Sequence, residues 1–251
     1  MRNEVRVCVL KTDGINCDNE TSHAFGVAGA RASIVHINSF RSGADRFGNY
    51  DVLVVPGGFS YGDDIVSGEV LGNELVSYFR DELGEFVRNP RKRVLGICNG
   101  FQVLVRAGLL PTLHLGVKQA TLALNTVGHF RCRWVRLRVE QSPCDFTKTL
   151  AVGTVFELPI AHGEGNLQVS QEVLDYIERE RLVAFRYVSN TNPNGSVNDI
   201  AGLCNKAGNV LGLMPHPERF VRQTDHPNWR RGYIEPLGLA IFESAVKSLQ
   251  S

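Results

Sequence analysis

The sequence predicts an α/β fold: a mostly parallel sheet flanked by helices and extended by antiparallel strands. Three observations carry that prediction. Near-continuous apolar runs alternate with helically periodic segments over roughly the first 110 residues, the pattern of a parallel sheet covered on both faces. The middle of the chain switches to period-two alternation, most plainly in Phe130–Val139 (FRCRWVRLRV), which reads as antiparallel sheet with one solvated face. The last segment returns to helical spacing.

Taken in order, Val5–Leu10 is the first apolar run and reads as a buried strand. Asp18–Ala28 follows as a helix opened by an acidic capping residue. Ser33–Ile37, Val52–Val55 and Val94–Ile97 read as the next buried strands. Between the last two, Val70, Leu71, Leu75, Phe79, Leu83 and Phe86 recur at spacings of three and four, which predicts a helix over Glu69–Val87. Parts of Thr154–Ile160 alternate like Phe130–Val139, and Glu172–Arg181 reads as a charged helix. Residues 198–205 and 209–214 read as two strands joined around Ala207-Gly208-Asn209, a hairpin signal. Leu237, Ile241, Ala245 and Leu249 place a closing helix. With no repeat, low-complexity tract or linker-like run, the chain reads as a single domain over 1–251.

Composition narrows the function. The 251 residues are 43% hydrophobic and 21% charged, with a formal net charge of +1, which excludes disorder and argues against a nucleic-acid binder that neutralises phosphates. No stretch approaches ~18 consecutive apolar residues, and the N-terminal segment lacks a basic region followed by an apolar run. No membrane partner is indicated, and a cytoplasmic protein is expected. The six cysteines are scattered, with no C-x-x-C pair and no His at ligand spacing. Neither a metal site nor a disulfide framework is indicated, and most of the thiols read as buried.

One cysteine stands apart. Arg93–Gln102 runs from an apolar strand into Gly96-Ile97-Cys98-Asn99-Gly100 and then a helix. This is the thiol form of a nucleophile elbow, whose glycines permit the tight turn that exposes the central side chain. Cys98 then sits at a helix N-terminus, where the dipole and free N–H groups favour the nucleophilic thiolate. Cys8, inside a strand without glycines, reads as packing.

A thiolate that forms an acyl intermediate needs a proton shuttle and a group to orient it. Met214-Pro215-His216-Pro217-Glu218-Arg219 ends an apolar strand, and residues two apart in extended backbone point the same way. Glu218 can then hold His216, although His-Pro-Glu alone is more often a surface turn. Val52–Val55 ends in Pro56-Gly57-Gly58. The N–H groups of Gly58 and Asn99 would form an oxyanion hole for the charge that develops in acyl transfer, while Gly-Gly alone reads as a plain turn.

These three elements, in this order, resemble the class I (Cys-His-Glu triad) glutamine amidotransferases. The resemblance extends to Gly57–Asp63, Arg131–Val135, Pro159–Gly165 and Asn192–Ser196, and so spans nearly the whole chain. It is closest to the purine-biosynthetic branch of that class. It implies a flavodoxin-like, class I amidotransferase-like fold and an activity in which Cys98 attacks the carboxamide of glutamine. His216 would shuttle the proton to the departing ammonia and Glu218 would orient His216. It further implies that Ala161–Glu164 lines the glutamine pocket, with Gln102, His162 and Gly163 as substrate contacts.

The resemblance also implies partners. Ammonia passes to a larger ATP-dependent synthetase subunit that converts formylglycinamide ribonucleotide to the amidine, often with a small third subunit. No G-x-x-x-x-G-K-[ST] phosphate loop is present, so no cofactor is expected on this chain, and ATP and Mg are expected on the synthetase. Two departures fall outside the triad: Ile65-Val66 stands where many relatives carry Leu-Arg, and residues 172–181 and 225–233 are longer than in compact relatives. Other readings are a Cys-His-Glu amidotransferase or γ-glutamyl hydrolase of another pathway, and a non-catalytic regulatory subunit; the intact Cys98, His216 and Glu218 disfavour the last.

Overall fold

Nine strands form one sheet whose parallel half and antiparallel half meet beside the elbow. The computed structural model describes residues 4–63, 65–188 and 190–250; the ends of the expected 1–251 domain, Met1–Asn3 and Ser251, lie outside them. The strands are β1 (Arg6–Lys11), β2 (Arg31–His36), β3 (Val52–Val55), β4 (Arg93–Ile97), β5 (Ala120–Leu124), β6 (Arg131–Val139), β7 (Val155–His162), β8 (Glu164–Val169), β9 (Val183–Tyr187), β10 (Ile200–Cys204) and β11 (Val210–Leu213). The helices are α1 (Asp18–Val27), α2 (Ile37–Arg41), α3 (Glu69–Arg88), α4 (Asn99–Arg106), α5 (Gln171–Arg179) and α6 (Gly238–Gln250).

The main sheet runs β2-β1-β3-β4-β11-β10-β9-β6-β7. Pairing is parallel from β2 to β11 and antiparallel from β11 to β7. Both halves predicted from the apolar runs and the period-two segments are therefore present. The inner strands β3, β4, β10 and β11 are buried along their whole length, which is why they read as continuous apolar runs rather than alternating ones.

Two differences have simple causes. Residues 33–37 do not form a buried strand: β2 is the outer strand of the sheet, Ile34 is exposed, and Ile37 opens α2. His36 caps that helix by accepting the Asn38 N–H at 3.2 Å. The pair β5–β8, a separate two-stranded sheet, and the strand β9 carry no alternation long enough to announce themselves. Residues 225–233 carry short 3-10 turns, and α5 is the charged helix, capped by the Ser170 hydroxyl accepting the Val173 N–H.

Helices cover the sheet in pairs. Phe25 of α1 and Phe242 of α6 meet edge to face at 4.9 Å, while Glu69 of α3 and Arg106 of α4 form an ion pair at 2.7 Å. The approach of α4 to β3 is very close. A Cβ on Gly100 would fall 1.8 Å from the Val55 carbonyl oxygen, and backbone cannot yield by that much without moving the helix. Gly100→Ala is therefore expected to destabilise the fold by about 3 kcal/mol, read as a lowered urea midpoint. An unchanged midpoint would show that the α4–β3 contact is not held this tightly.

Candidate active site

The register of β4 against β11 builds the site. Gly96 pairs with Gly212 and Ile97 with Leu213, so both strands end at the same level, and the Cys98 N–H donates to the Leu213 carbonyl at 2.8 Å. Cys98 caps α4 with φ 52° and ψ −106°, a left-handed conformation that a side-chain-bearing residue adopts only under constraint. It is 5% exposed, and its Sγ lies 3.7 Å from the Ala161 carbonyl oxygen. The strained turn read from Gly-x-Cys-x-Gly is thus present in the backbone, but the Cys98 side chain is buried rather than exposed, because the end of β7 at Ala161 lies over its sulfur.

His216 and Glu218 follow β11. The His216 N–H donates to the Pro159 carbonyl (2.8 Å), which ties the segment to β7 across the antiparallel half. Nδ1 of His216 is 2.6 Å from Oε1 of Glu218, and both side chains are almost wholly buried. Nδ1 donates to the carboxylate, which leaves Nε2 without a hydrogen-bond partner among the described residues. Burial works against the charged imidazole, but the Glu218 carboxylate and then Cys98 outweigh it and hold His216 well above the usual histidine range. A buried imidazole that keeps its proton is suited to deliver it to a leaving group.

Gly57 lies against His216, while Gly58 packs on the backbone of Gly14, Ile15 and Asn16. A Cβ on Gly57 would sit 2.8 Å from Cε1 of His216 and 3.2 Å from Sγ of Cys17, and Gly58 has φ +144°, a backbone that glycine tolerates. The segment is joined to α4 through the Asn99 side chain, whose Oδ1 accepts the Ser60 N–H at 3.2 Å. The residues expected to supply oxyanion donors, Gly58 in the segment after β3 and Asn99 at the start of α4, therefore lie on neighbouring segments held by one side chain. Asn99 N–H is the first of α4, a group without an intrahelical acceptor.

Of the three expected substrate contacts, Gln102 and His162 fall in a buried polar layer and Gly163 is half-buried beside it. Gln102 donates from Nε2 to the Glu164 carbonyl (2.5 Å), and its Oε1 accepts from Asn99 Nδ2 (3.2 Å). Asn99 Nδ2 also donates to Asp63 (3.0 Å), whose carboxyl is raised by burial. The Gly163 carbonyl accepts the Asn125 N–H at 2.9 Å. Oδ1 of Asn125 accepts the Gly165 N–H, while its Nδ2 donates to the His129 and His162 carbonyls. The amide orientation is thus fixed, and Oδ1 also faces Nδ1 of His162 at 3.1 Å. His162 must carry its proton on Nδ1, leaving Nε2 as a bare acceptor with no partner among the described residues. Burial, and then the charge on His216, push His162 down to about 4, so it is neutral at physiological pH.

Several neighbours were not legible in the sequence. Asn125 lies in no motif, and Tyr187, buried close enough to feel charge on Cys98 and hydrogen-bonded to Asn194 (3.2 Å), sits on the unannounced strand β9. Asn194 belongs to the Asn192–Ser196 string, the one available signal. Five of the six cysteines are buried and Cys132 is exposed. Burial raises the Cys8 thiol far out of the working range, in line with a packing role. Cys17, by contrast, lies against His216 and accepts from Arg219 Nη2 at 3.1 Å. Arg133, on the marker strand β6, donates to the Thr191 carbonyl at 3.2 Å.

This fold and this constellation define a class, the glutamine amidotransferases, and a family model described as a CobB/CobQ-like glutamine amidotransferase domain matches residues 4–248. Phosphoribosylformylglycinamidine synthase subunit PurQ of Methanococcus maripaludis is 39% identical over 266 residues, covering 96% of both chains. The PurQ subunit of Thermus thermophilus is 42% identical over 222 residues, covering 86% of this chain and 90% of that one. The chain belongs to the PurQ family of phosphoribosylformylglycinamidine synthase subunits. A chain in the structure of PurLQS from Thermotoga maritima superposes with a TM-score of 0.79 at 33% identity, covering 98% of this chain and all of that one. The glutaminase domain of Trypanosoma brucei CTPS, at 14% identity and a TM-score of 0.57, shares the fold.

The neutral His162 gives a pH test of the polar layer. The unfolded chain protonates this histidine near 6.5, whereas the folded chain takes the proton only near 4. As pH falls between those values the unfolded state binds more protons, and stability on the order of 3 kcal/mol is lost. His162→Gln is expected to flatten the fall in unfolding free energy over that window. An identical slope in the variant would place the titration elsewhere.

Proposed function

We propose that this chain is the glutamine-hydrolysing subunit of a phosphoribosylformylglycinamidine synthase and works through a Cys98 γ-glutamyl thioester. The observation that carries the reading is the meeting, at the ends of two paired strands, of a strained helix-capping Cys98 with the buried His216–Glu218 pair. The sulfur of Cys98 attacks the side-chain carbonyl carbon of glutamine, and the Gly58 and Asn99 N–H groups hold the oxyanion. His216 gives its proton to the amide nitrogen, the C–N bond breaks, and ammonia leaves behind a thioester. Water then attacks the thioester carbon while His216 takes its proton, and the C–S bond breaks to release glutamate. Glu218 keeps the imidazole oriented throughout, and Gln102, His162 and Gly163 shape the pocket for the zwitterionic substrate.

Ammonia is the product handed on. An ATP-dependent synthetase subunit, with a small third subunit in the assembly, would use it to convert formylglycinamide ribonucleotide to formylglycinamidine ribonucleotide, with ATP and Mg held on the synthetase and no cofactor on this chain. Among the described residues no helix is long and apolar enough to cross a membrane, and a single-domain cytoplasmic enzyme without nucleic-acid partners fits the near-neutral charge.

In the assembled enzyme, Cys98→Ala is expected to lower glutamine-dependent ammonia release by at least about a thousandfold, while added ammonium salts still support amidine formation. Glutamine hydrolysis surviving in this variant would remove Cys98 from the mechanism. A second test uses pH. His216 must keep its proton to serve the leaving group, and its raised pKa puts the alkaline limb of kcat/KM well above 6.5. Glu218→Gln removes the larger of the groups that raise it, so the limb is expected to move toward acid; a limb that stays in place would assign the titration to another group.

A further inference from the structure

We infer that Cys17, His216 and Glu218 form a binding site for a soft divalent cation of the zinc class, and that occupancy of this site switches the glutaminase off. The switching half of the inference rests on the function proposed above. Sequence spacing gives no hint of the cluster, because Cys17 precedes α1 while the other two follow β11, about two hundred residues later in the chain. The fold brings one ligand atom of each within 4.8 Å of the others, all three residues being buried. Thiolate, imidazole and carboxylate are the donor set that zinc accepts, with bonds of about 2.0–2.3 Å. Ligand atoms around such an ion lie roughly 3.5 Å apart, so closing the cluster asks for movements of about 1 Å.

Charge supports the assignment. A thiolate and a carboxylate together cancel a divalent ion, so the occupied site is neutral and can stay buried. One carboxylate oxygen is available, since Oε2 of Glu218 is buried and has no hydrogen-bond partner among the described residues. A cation already occupies this position in part: Arg219 places Nη2 3.1 Å from Cys17 Sγ and Nε 3.8 Å from Glu218 Oε1. Its side chain is 38% exposed and can withdraw to solvent. On binding, the Cys17 thiol and the His216 imidazolium each release one proton to solvent, and the freed sulfur and ring nitrogen bond the metal. The Asn16 side chain, 3.3 Å from Cys17 Sγ, loses the thiol donor in the exchange. An imidazole bonded to metal is no longer free to carry a proton, so hydrolysis stops without loss of any catalytic residue.

Cadmium is a suitable probe because its bonds to thiolate absorb in the ultraviolet. In the full chain carrying Cys98→Ser and Cys132→Ser, which removes the nucleophile and the exposed thiol, Cd2+ titration is expected to give a thiolate band saturating at one ion per chain. Adding Cys17→Ser is expected to abolish it. A band that persists without Cys17, or no band at all, overturns the site. This readout needs no glutamine, so it is decided even if the chain hydrolyses none.

Inhibition is read separately, in chains that retain Cys98 and against each chain's own uninhibited rate. Zn2+ is expected to inhibit glutaminase reversibly with EDTA, and Cys17→Ser to raise the half-inhibitory concentration about tenfold or more. An unchanged value would mean that Cys98 and His216 alone hold the metal, which contradicts the inference. Should Cys17→Ser fail to fold, Arg219→Gln decides: removing the competing guanidinium is expected to lower the half-inhibitory Zn2+ concentration about tenfold, and no change or a rise overturns the proposal.

Discussion

The parallel pairing of β4 with β11 is the constraint on which the site depends. Four residues of each strand are in register, from Val94 opposite Val210 to Ile97 opposite Leu213, and the two segments are separated by more than a hundred residues of chain. Everything chemical follows immediately after the last pair. Cys98 begins a helix on one side, and His216 lies three residues beyond the strand on the other. The hydrogen bond from Cys98 N–H to the Leu213 carbonyl makes the elbow continuous with the sheet, so Cys98 is carried on buried strands rather than on a surface loop. A ligand site beyond the carboxyl ends of parallel strands is where this sheet type places one.

The antiparallel half closes the site from the opposite side. His216 N–H donates to the Pro159 carbonyl on β7, and the Ala161 carbonyl two residues further along lies near Cys98 Sγ. The same strand ends in His162, whose proton is fixed on Nδ1 by Asn125. Two histidines thus lie in one buried region with opposite tendencies. His216 faces a carboxylate and keeps its proton; His162 faces an amide oxygen, feels the charge of His216, and stays neutral. Burial acts against charge on both rings, and the identity of one neighbouring side chain separates them. That separation leaves one ring charged and the other a neutral acceptor.

Local chemistry was legible in the sequence, and long-range company was not. Gly-Ile-Cys-Asn-Gly announces the turn because its glycines are required within four residues of the thiol, and His-Pro-Glu announces its pair because alternation in extended backbone is set by adjacent residues. The buried strands β1, β3 and β4 were visible because both their faces are covered. Edge strand β2 misled in its degree of burial, since the sheet order and not the run Ser33–Ile37 decides which strand lies outermost. Asn125, Tyr187 and Cys17 reach the site only through the packing of β5 on β8, of β9 on β10, and of the segment before α1 on Gly57. No spacing rule relates residue 17 to residue 216. The family strings around Arg131–Val135 and Asn192–Ser196 marked such positions without explaining them, and the structure gives Asn194 a partner in Tyr187.

The proposed assignment of the γ-glutamyl group is to Cys98 among the six thiols. It is tested most directly by treating the chain with a chloroketone analogue of glutamine and mapping the adduct by peptide mass spectrometry. Alkylation of Cys98 alone, suppressed by excess glutamine, is expected. Alkylation of Cys17 instead, the other thiol beside His216, or labelling of the exposed Cys132 with no protection by glutamine, would contradict it.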